Sequence, residues 1–217
     1  MSQLHSKLLT YIRSLPICLY YDKKDDFLNV DNYYDFLNSF SRDVEPTKVL
    51  EIGTRYSYAA VSFSYEVPSV KKYVGLDIEV YDQNSLEKAK TNLSFFQSGK
   101  KEFTFSLKKI DTQKMENLDF LDKETFDLIH VDGDHSTEGA YCDIINFWNV
   151  LNIGGHMLID DSIFYQNVIK DGIKKALKEI KEPSYEINSL RGTWVIRKTK
   201  EKTFPILRSL TNEMSKK

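Results

Sequence analysis

Residues 126–136 read FDLIHVDGDHS, an apolar run that ends abruptly in acidic residues and a glycine. The run has the length and composition of a buried strand, and Asp132 stands where that strand should end. Four further runs of this kind occur, at residues 48–52, 73–77, 103–110 and 156–160. Helical segments lie between and after them, such as residues 137–151 and 167–181. This alternation predicts βαβ units and a mostly parallel sheet in an α/β fold.

The end of the pattern is different. Residues 185–187 and 193–196 are two short strand-like runs that are joined by residues 188–192. They predict a terminal hairpin, so that one late strand of the sheet should be antiparallel to its neighbours.

The first 45 residues differ from the rest of the chain because they are rich in aromatic residues and poor in glycine. Apolar residues recur at helical spacing before Pro16, and Asp31 is placed to cap a second helix that runs to about Phe40. We interpret residues 1–45 as a helical cap on a main domain of residues 46–217. Its aromatic side chains are expected in the core or, alternatively, in a lid over a substrate pocket.

Composition excludes several classes of protein. The 217 residues fit one α/β domain with a small appendage, and 30 basic against 32 acidic residues lack the basic excess of nucleic-acid binders. The apolar run at residues 16–21 is far too short to cross a membrane. Cys18 and Cys142 lie far apart, which excludes a disulfide scaffold and indicates reduced thiols in a cytoplasmic protein. Association into homo-oligomers is left open.

Acidic residues follow the ends of successive predicted strands. In an open α/β sheet, ligands bind beyond the carboxyl ends of the strands. Because a buried carboxylate needs a partner, acids at so many strand ends indicate a ligand site rather than packing. The residues at these ends are Glu51, Gly53, Asp77, Asp111, Asp132, Asp134, His135, Asp160 and Asp161.

The turn after the first strand, EIGTRYS at residues 51–57, is an incomplete glycine-rich loop. Arg55 and Ser57 stand where a dinucleotide-binding loop would have glycines, which argues against NAD or FAD. The turn remains compatible with S-adenosylmethionine, which has no pyrophosphate and whose carboxylate can meet amides at a helix N-terminus. Asp77 follows Gly53 at close to the spacing, about 20 residues, at which an acid binds ribose hydroxyls.

Four segments, residues 49–54, 75–77, 126–136 and 154–161, together resemble class I S-adenosylmethionine-dependent methyltransferases. The segment DGDHS is most similar to small-molecule and sugar O-methyltransferases that use a divalent metal. The resemblance covers about residues 46–198 and implies a Rossmann-like, doubly wound, seven-stranded sheet of order 3-2-1-4-5-7-6 with the seventh strand antiparallel. It also implies that Asp77 binds the ribose and Asp111 lies near the adenine, in a donor site completed by Glu51 and Gly53.

A sugar hydroxyl is a very weak acid, so its methylation needs a base, a metal ion or both. Asp132, Asp160 and Asp161 should end neighbouring strands, and three converging carboxylates would repel each other without a cation such as Mg²⁺. The resemblance places metal ligands at these three positions and the general base at His135. The expected acceptor is a small molecule such as a sugar or nucleotide sugar. Two alternatives stay open: a methyltransferase without metal, and a catalytically silent subunit that binds S-adenosylmethionine.

Overall fold

The computed structural model describes residues 3–18, 27–80, 82–114, 121, 124–163, 166–187 and 191–205. Strands and helices alternate through most of this part of the chain, as the apolar pattern predicts. The elements in chain order are α1 (Gln3–Arg13), α2 (Phe27–Val44), β1 (Lys48–Ile52), α3 (Tyr58–Ser64), β2 (Lys72–Asp77), α4 (Ser85–Gly99), β3 (Thr104–Lys109), β4 (Phe126–Val131), α5 (Thr137–Trp148), β5 (Leu151–Ile159), α6 (Gln166–Ile180), β6 (Ser184–Ile187) and β7 (Thr193–Arg197).

The seven strands form one sheet of order β3-β2-β1-β4-β5-β7-β6. Strands β1 to β5 pair in parallel, whereas β7 is antiparallel to both β5 and β6. The Rossmann-like α/β fold and its strand order are therefore confirmed. The pairing of Ile159 with Trp194 also places the beginning of β7 at the edge where the parallel strands end.

The start of β5 differs from the sequence prediction, which placed it after Gly155. The strand begins at Leu151, and its register with β4 shifts between Phe126 and Leu128. Gly154 has a φ of +86°, and a Cβ on Gly155 would lie 2.9 Å from the carbonyl oxygen of Asp127. The two glycines thus form an irregularity inside the strand rather than the turn that precedes it.

The predicted N-terminal cap is docked on α3 through buried polar contacts as well as apolar packing. The amide of Asn38 donates to the carbonyl oxygens of Ser62 and Tyr65, at 2.7 and 2.8 Å, and the Ser41 hydroxyl donates to that of Phe63 at 2.7 Å. Apolar side chains of α1 and α2 share one core with α3 and α4. The boundary after residue 45 stays a prediction.

Of the aromatic residues predicted for the cap core, Tyr33, Tyr34 and Phe40 are buried, whereas Phe36 is only partly buried. Tyr20 and Tyr21 lie outside the described residues.

Within the described part of the chain, no helix has the length and apolar character that a membrane span requires.

Candidate active site

A cavity of about 640 Å³ opens at the edge of the sheet where β1, β2 and β4 end. This volume is typical of sites for small molecules. Tyr33 and Tyr34 of α2 complete its wall, so the cap contributes directly to the site. All but one of the predicted site residues line it, namely Glu51, Gly53, Asp77, Asp111, Asp132, His135 and Asp161. The exception, Asp160, is buried, and its carboxylate lies within 4.8 Å of that of Asp132.

The turn after β1 keeps a glycine-like backbone although it has one glycine. Gly53, Arg55 and Ser57 all have positive φ angles, of 87°, 44° and 64°. At Gly53 a side chain is excluded, because a Cβ would lie 1.9 Å from the carbonyl oxygen of Asp132. The turn therefore lies directly against the end of β4. Arg55 and Ser57 adopt the positive φ angles that usually favour glycine.

Two of the predicted donor-binding acids, Asp77 and Asp111, accept hydrogen bonds from backbone N–H groups. The Asp77 carboxylate accepts hydrogen bonds from the backbone N–H groups of Arg55, at 2.7 Å, and Glu79, at 2.6 Å. The Asp111 carboxylate accepts one from the N–H of Gln113 at 3.0 Å and pairs with Lys114 at 2.9 Å. Both acids line the cavity, and their roles at the ribose and the adenine stay predictions.

The third predicted donor residue, Glu51, is engaged inside the protein. Its Oε1 lies 3.0 Å from Nδ1 of His130, and the Tyr73 hydroxyl donates to Oε2. Nε2 of the same histidine lies 2.8 Å from the Tyr33 hydroxyl, so a buried polar chain joins β1, β4 and α2. Burial raises the pKa of Glu51, although its bonds to His130 and Tyr73 oppose this shift. A donor contact of Glu51 stays a prediction.

Three aspartates at the ends of β4 and β5, Asp132, Asp160 and Asp161, form what we call the acidic cluster. Arg191 binds one of them with two hydrogen bonds: its Nε and Nη2 lie 2.5 and 2.8 Å from the two oxygens of Asp161. Its Nη2 is also 3.8 Å from Asp160. Both oxygens of Asp160 are buried and accept no hydrogen bond within the described residues. Burial, and then the charge of Asp132, raise the pKa of Asp160.

His135 lies against this cluster. Its Nε2 is 3.2 Å from Oδ1 of Asp132 and 3.8 Å from Oδ2 of Asp161. Burial lowers the pKa of His135, but the hydrogen bond and the charge of Asp132 outweigh burial and bring the pKa above its usual value.

Parts of the acidic cluster could hold a divalent cation, but among the described residues no set of close ligand atoms contains both Asp160 and Asp161. Two sets of ligand atoms lie within 4.8 Å of one another: His130 with Asp132 and Asp160, and Asp132 with His135 and Asp161. Carboxylate oxygens are the ligands that Mg²⁺ prefers, and within the described residues the carboxylate of Asp160 accepts no hydrogen bond that would compete with a cation. Arg191 already supplies one positive charge, on the side of Asp161.

Arg191 and Tyr33 are site residues that the sequence argument missed. Arg191 lies in the loop before β7, which was interpreted only as a hairpin connection. Because β7 is antiparallel, that loop returns to the edge where β5 ends, and this topology was the signal available. Tyr33 had no such signal, because its position depends on how α2 docks against the sheet.

A family model described as "Methyltransferase domain" matches residues 50–162, which run from the middle of β1 to just beyond β5 and include the acidic cluster. No curated protein sequence matches the chain significantly.

Solved structures resemble the chain over nearly its whole length. A Podospora anserina methyltransferase, PaMTH1, solved with SAH (S-adenosylhomocysteine), has 17% identity and a TM-score of 0.63, over 92% of this chain and 89% of that one. A Bacillus cereus O-methyltransferase, also with SAH, has 15% identity and a TM-score of 0.59, over 91% and 92%. TomG of Streptomyces achromogenes, an O-methyltransferase of tomaymycin synthesis solved with S-adenosylmethionine, has 14% identity and a TM-score of 0.57, over 92% and 91%. At these identities the likeness shows a shared fold.

Proposed function

Because the chain belongs to the methyltransferase-domain family, we propose that it is an S-adenosylmethionine-dependent O-methyltransferase that acts on a hydroxyl group of a sugar, a nucleotide sugar or a similar small molecule. One observation carries the proposal. A histidine, His135, lies 3.2 Å from an acidic residue at the end of β4, in the same cavity as the carboxylates of Asp77 and Asp111. In this proposal the donor site and the base share one cavity.

The donor supplies a methyl group that is already activated on a sulfonium sulfur. In this proposal Asp77 binds its ribose hydroxyls and Asp111 lies beside its adenine, with the turn at Gly53 against the methionine end. Fixing donor and acceptor in line lowers the barrier by several kcal/mol, since the reactants no longer have to find each other in solution.

His135 takes the proton of the acceptor hydroxyl as the oxygen–carbon bond forms. The hydrogen bond to Asp132 holds Nε2 as the protonated nitrogen of the neutral ring, so Nδ1 is the atom that receives the proton. The imidazolium that results is stabilised by Asp132 and Asp161, which lie 3.2 and 3.8 Å from Nε2. The histidine thus accepts the proton as general base, and the carboxylate orients its ring.

We include metal assistance in the proposal. Asp132, Asp160 and Asp161 would hold a divalent ion such as Mg²⁺, whose chemistry is to make a nearby hydroxyl more acidic. Support comes from the buried, unpartnered oxygens of Asp160. One observation favours the alternative of methyl transfer without metal: the guanidinium of Arg191 already pairs with Asp161.

The sugar class of acceptor is supported by the wall of the cavity. Four tyrosines, Tyr33, Tyr34, Tyr56 and Tyr58, line it together with charged side chains. Flat aromatic faces suit the apolar face of a sugar ring, and the charged groups suit its hydroxyls.

Transfer of label from methyl-labelled S-adenosylmethionine tests these statements. We expect label on a sugar or nucleotide sugar, in a panel that includes catechols, and we expect transfer to stop after chelation and to return with Mg²⁺. Undiminished transfer after exhaustive chelation would support the alternative without metal. Binding of SAH without transfer to any acceptor would support a silent binding subunit, and failure to bind SAH would contradict the proposal.

A further inference from the structure

Arg191 is fixed beside the acidic cluster by its own backbone. The N–H of Ile163 donates to the carbonyl oxygen of Arg191 at 2.9 Å, and the N–H of Ser162 donates to that of Gly192 at 3.0 Å. Gly192 has a φ of +77°, and a Cβ there would lie 2.6 Å from the backbone nitrogen of Ile163. The loop is thus bonded directly to the residues that follow Asp161, and the arginine cannot leave by moving its backbone alone.

The guanidinium of Arg191 binds one carboxylate through two of its nitrogen atoms. Nε and Nη2 each bind one oxygen of Asp161, whose side chain is only 3% exposed. The guanidinium also lies over the ring of Tyr33, 5.1 Å from its centre. A bidentate pair of this kind is among the strongest polar contacts in proteins.

Arg191 does not neutralise the whole cluster. Asp132 is bonded to His135, but Asp160 is 1% exposed and accepts no hydrogen bond within the described residues. Asp160 lies 3.8 Å from Nη2 of Arg191. The charge of this buried carboxylate is therefore compensated mainly by a guanidinium at 3.8 Å, and a divalent cation in contact with it would compensate the charge more fully.

We propose that Arg191 is a built-in counter-cation that competes with a divalent cation for Asp161, so that metal binding requires the guanidinium to leave this carboxylate. The inference rests on the metal-assisted form of the proposed function. Two cations on the same carboxylate oxygens would repel each other at a few ångströms, so each weakens the binding of the other. Since the backbone is held, the side chain of Arg191 leaves by rotation about its own bonds.

Binding of Mn²⁺ to the protein without donor or acceptor tests this competition. Free Mn²⁺ is measured by electron paramagnetic resonance in titrations of the wild type, Arg191→Met and Arg191→Lys. We expect Arg191→Met to bind Mn²⁺ about tenfold more tightly than the wild type, which corresponds to ~1.4 kcal/mol. Arg191→Lys keeps the positive charge but cannot form the two parallel hydrogen bonds. Its Mn²⁺ affinity should therefore lie between those of the wild type and Arg191→Met. Arg197→Met, at the exposed last residue of β7, is the matched control and should bind as the wild type does.

Thermal unfolding keeps the test decisive if Arg191→Met is unstable. In chelator, this variant should unfold at a lower temperature than the wild type, because Asp161 has lost its partner. Saturating Mn²⁺ should then raise its unfolding temperature by more than it raises that of the wild type. Equal Mn²⁺ affinity in all variants, or weaker binding by Arg191→Met, would overturn the inference alone. Absence of Mn²⁺ binding in every variant would overturn both the inference and the metal-assisted form of the proposed function, and SAH binding would report separately on the donor site.

Discussion

Nδ1 of His130 lies 3.0 Å from Oε1 of Glu51, and both residues are buried. The other oxygen of this glutamate accepts a hydrogen bond from the Tyr73 hydroxyl. Sequence reasoning assigned Glu51 to the donor because it ends a strand in front of a glycine turn. The geometry gives it a second role: it joins β1 to β2 and β4 below the site. The two roles differ in what a substitution would change.

Glu51→Gln should lower the free energy of unfolding by about 1–3 kcal/mol, because buried groups lose their partners. The loss of SAH affinity should be small, since the carboxylate is engaged by the protein. Tyr73→Phe is the matched control, because it removes a partner of the same carboxylate and does not line the cavity. Unfolding in urea and calorimetric titration with SAH measure the two effects. A large loss of affinity in Glu51→Gln with none in Tyr73→Phe would instead indicate direct contact with the donor.

Asp77→Ala should weaken SAH binding by about 1–3 kcal/mol, the cost of leaving ribose hydroxyls without a partner. Asp127→Ala is a close control because Asp127 also accepts two backbone N–H bonds, from Thr47 and Lys48, at 2.9 and 3.0 Å. It stands at the opposite end of β4, so its replacement should reduce stability and leave SAH affinity unchanged. Calorimetry decides: unchanged affinity in Asp77→Ala, or an equal loss in both variants, would remove Asp77 from the donor site.

Much of the fold follows from local pattern, because most of the parallel strands are short apolar runs that end at or just before a polar residue or a glycine. The same pattern located Asp132, Asp160 and Asp161, since the ends of parallel strands share one edge of a sheet. Arg191 could not be found in this way, because it acts from the beginning of an antiparallel strand. The pairing of Asp161 with Arg191 was therefore missed. A metal ion was expected to supply the positive charge that balances the cluster. Residues that reach the site from helices, such as Tyr33, depend on packing that no local pattern reports.

Asp143→Asn should stabilise the protein at pH 8 and not at pH 4. Burial, and to a lesser extent the charges of Asp134 and Asp111, raise the pKa of Asp143 to about 7. Between the unfolded pKa and this value the native state holds a proton that the unfolded state has released, so stability falls as the pH rises through 7. The asparagine does not ionise, and its advantage at pH 8 should be roughly 1–3 kcal/mol.

Urea unfolding at the two pH values measures this difference. The Thr112 hydroxyl and the Gln113 amide donate to Oδ1 of Asp143 at 2.7 and 2.9 Å, and the asparagine oxygen can accept both. Asp171→Asn, on the exposed face of α6, is the control and should show the same small effect at both pH values. A gain for Asp143→Asn that does not change between pH 4 and pH 8 would contradict a raised pKa.

His135→Gln should lower turnover by about 10²–10⁴-fold, the usual contribution of a general base. Glutamine keeps the polarity of the side chain but cannot take the proton, and His135→Ala should behave similarly. SAH affinity and the unfolding temperature should stay near those of the wild type. The alternative, a histidine that only orders the turn after β4 through its 3.2 Å bond to Asp132, predicts lower stability with little kinetic change.

The matched control for the base is His156→Gln, a half-buried histidine on β5 whose ring packs on Phe40, 5.5 Å between centres, outside the cavity. This variant should turn over at the wild-type rate, so that a loss seen only in His135→Gln reports on position and not on histidine content. Rates are compared with donor and acceptor both saturating, because weaker acceptor binding would otherwise imitate a loss of base catalysis. If His135→Gln then matches the wild type, another group accepts the proton, and the 3.2 Å bond to Asp132 is structural.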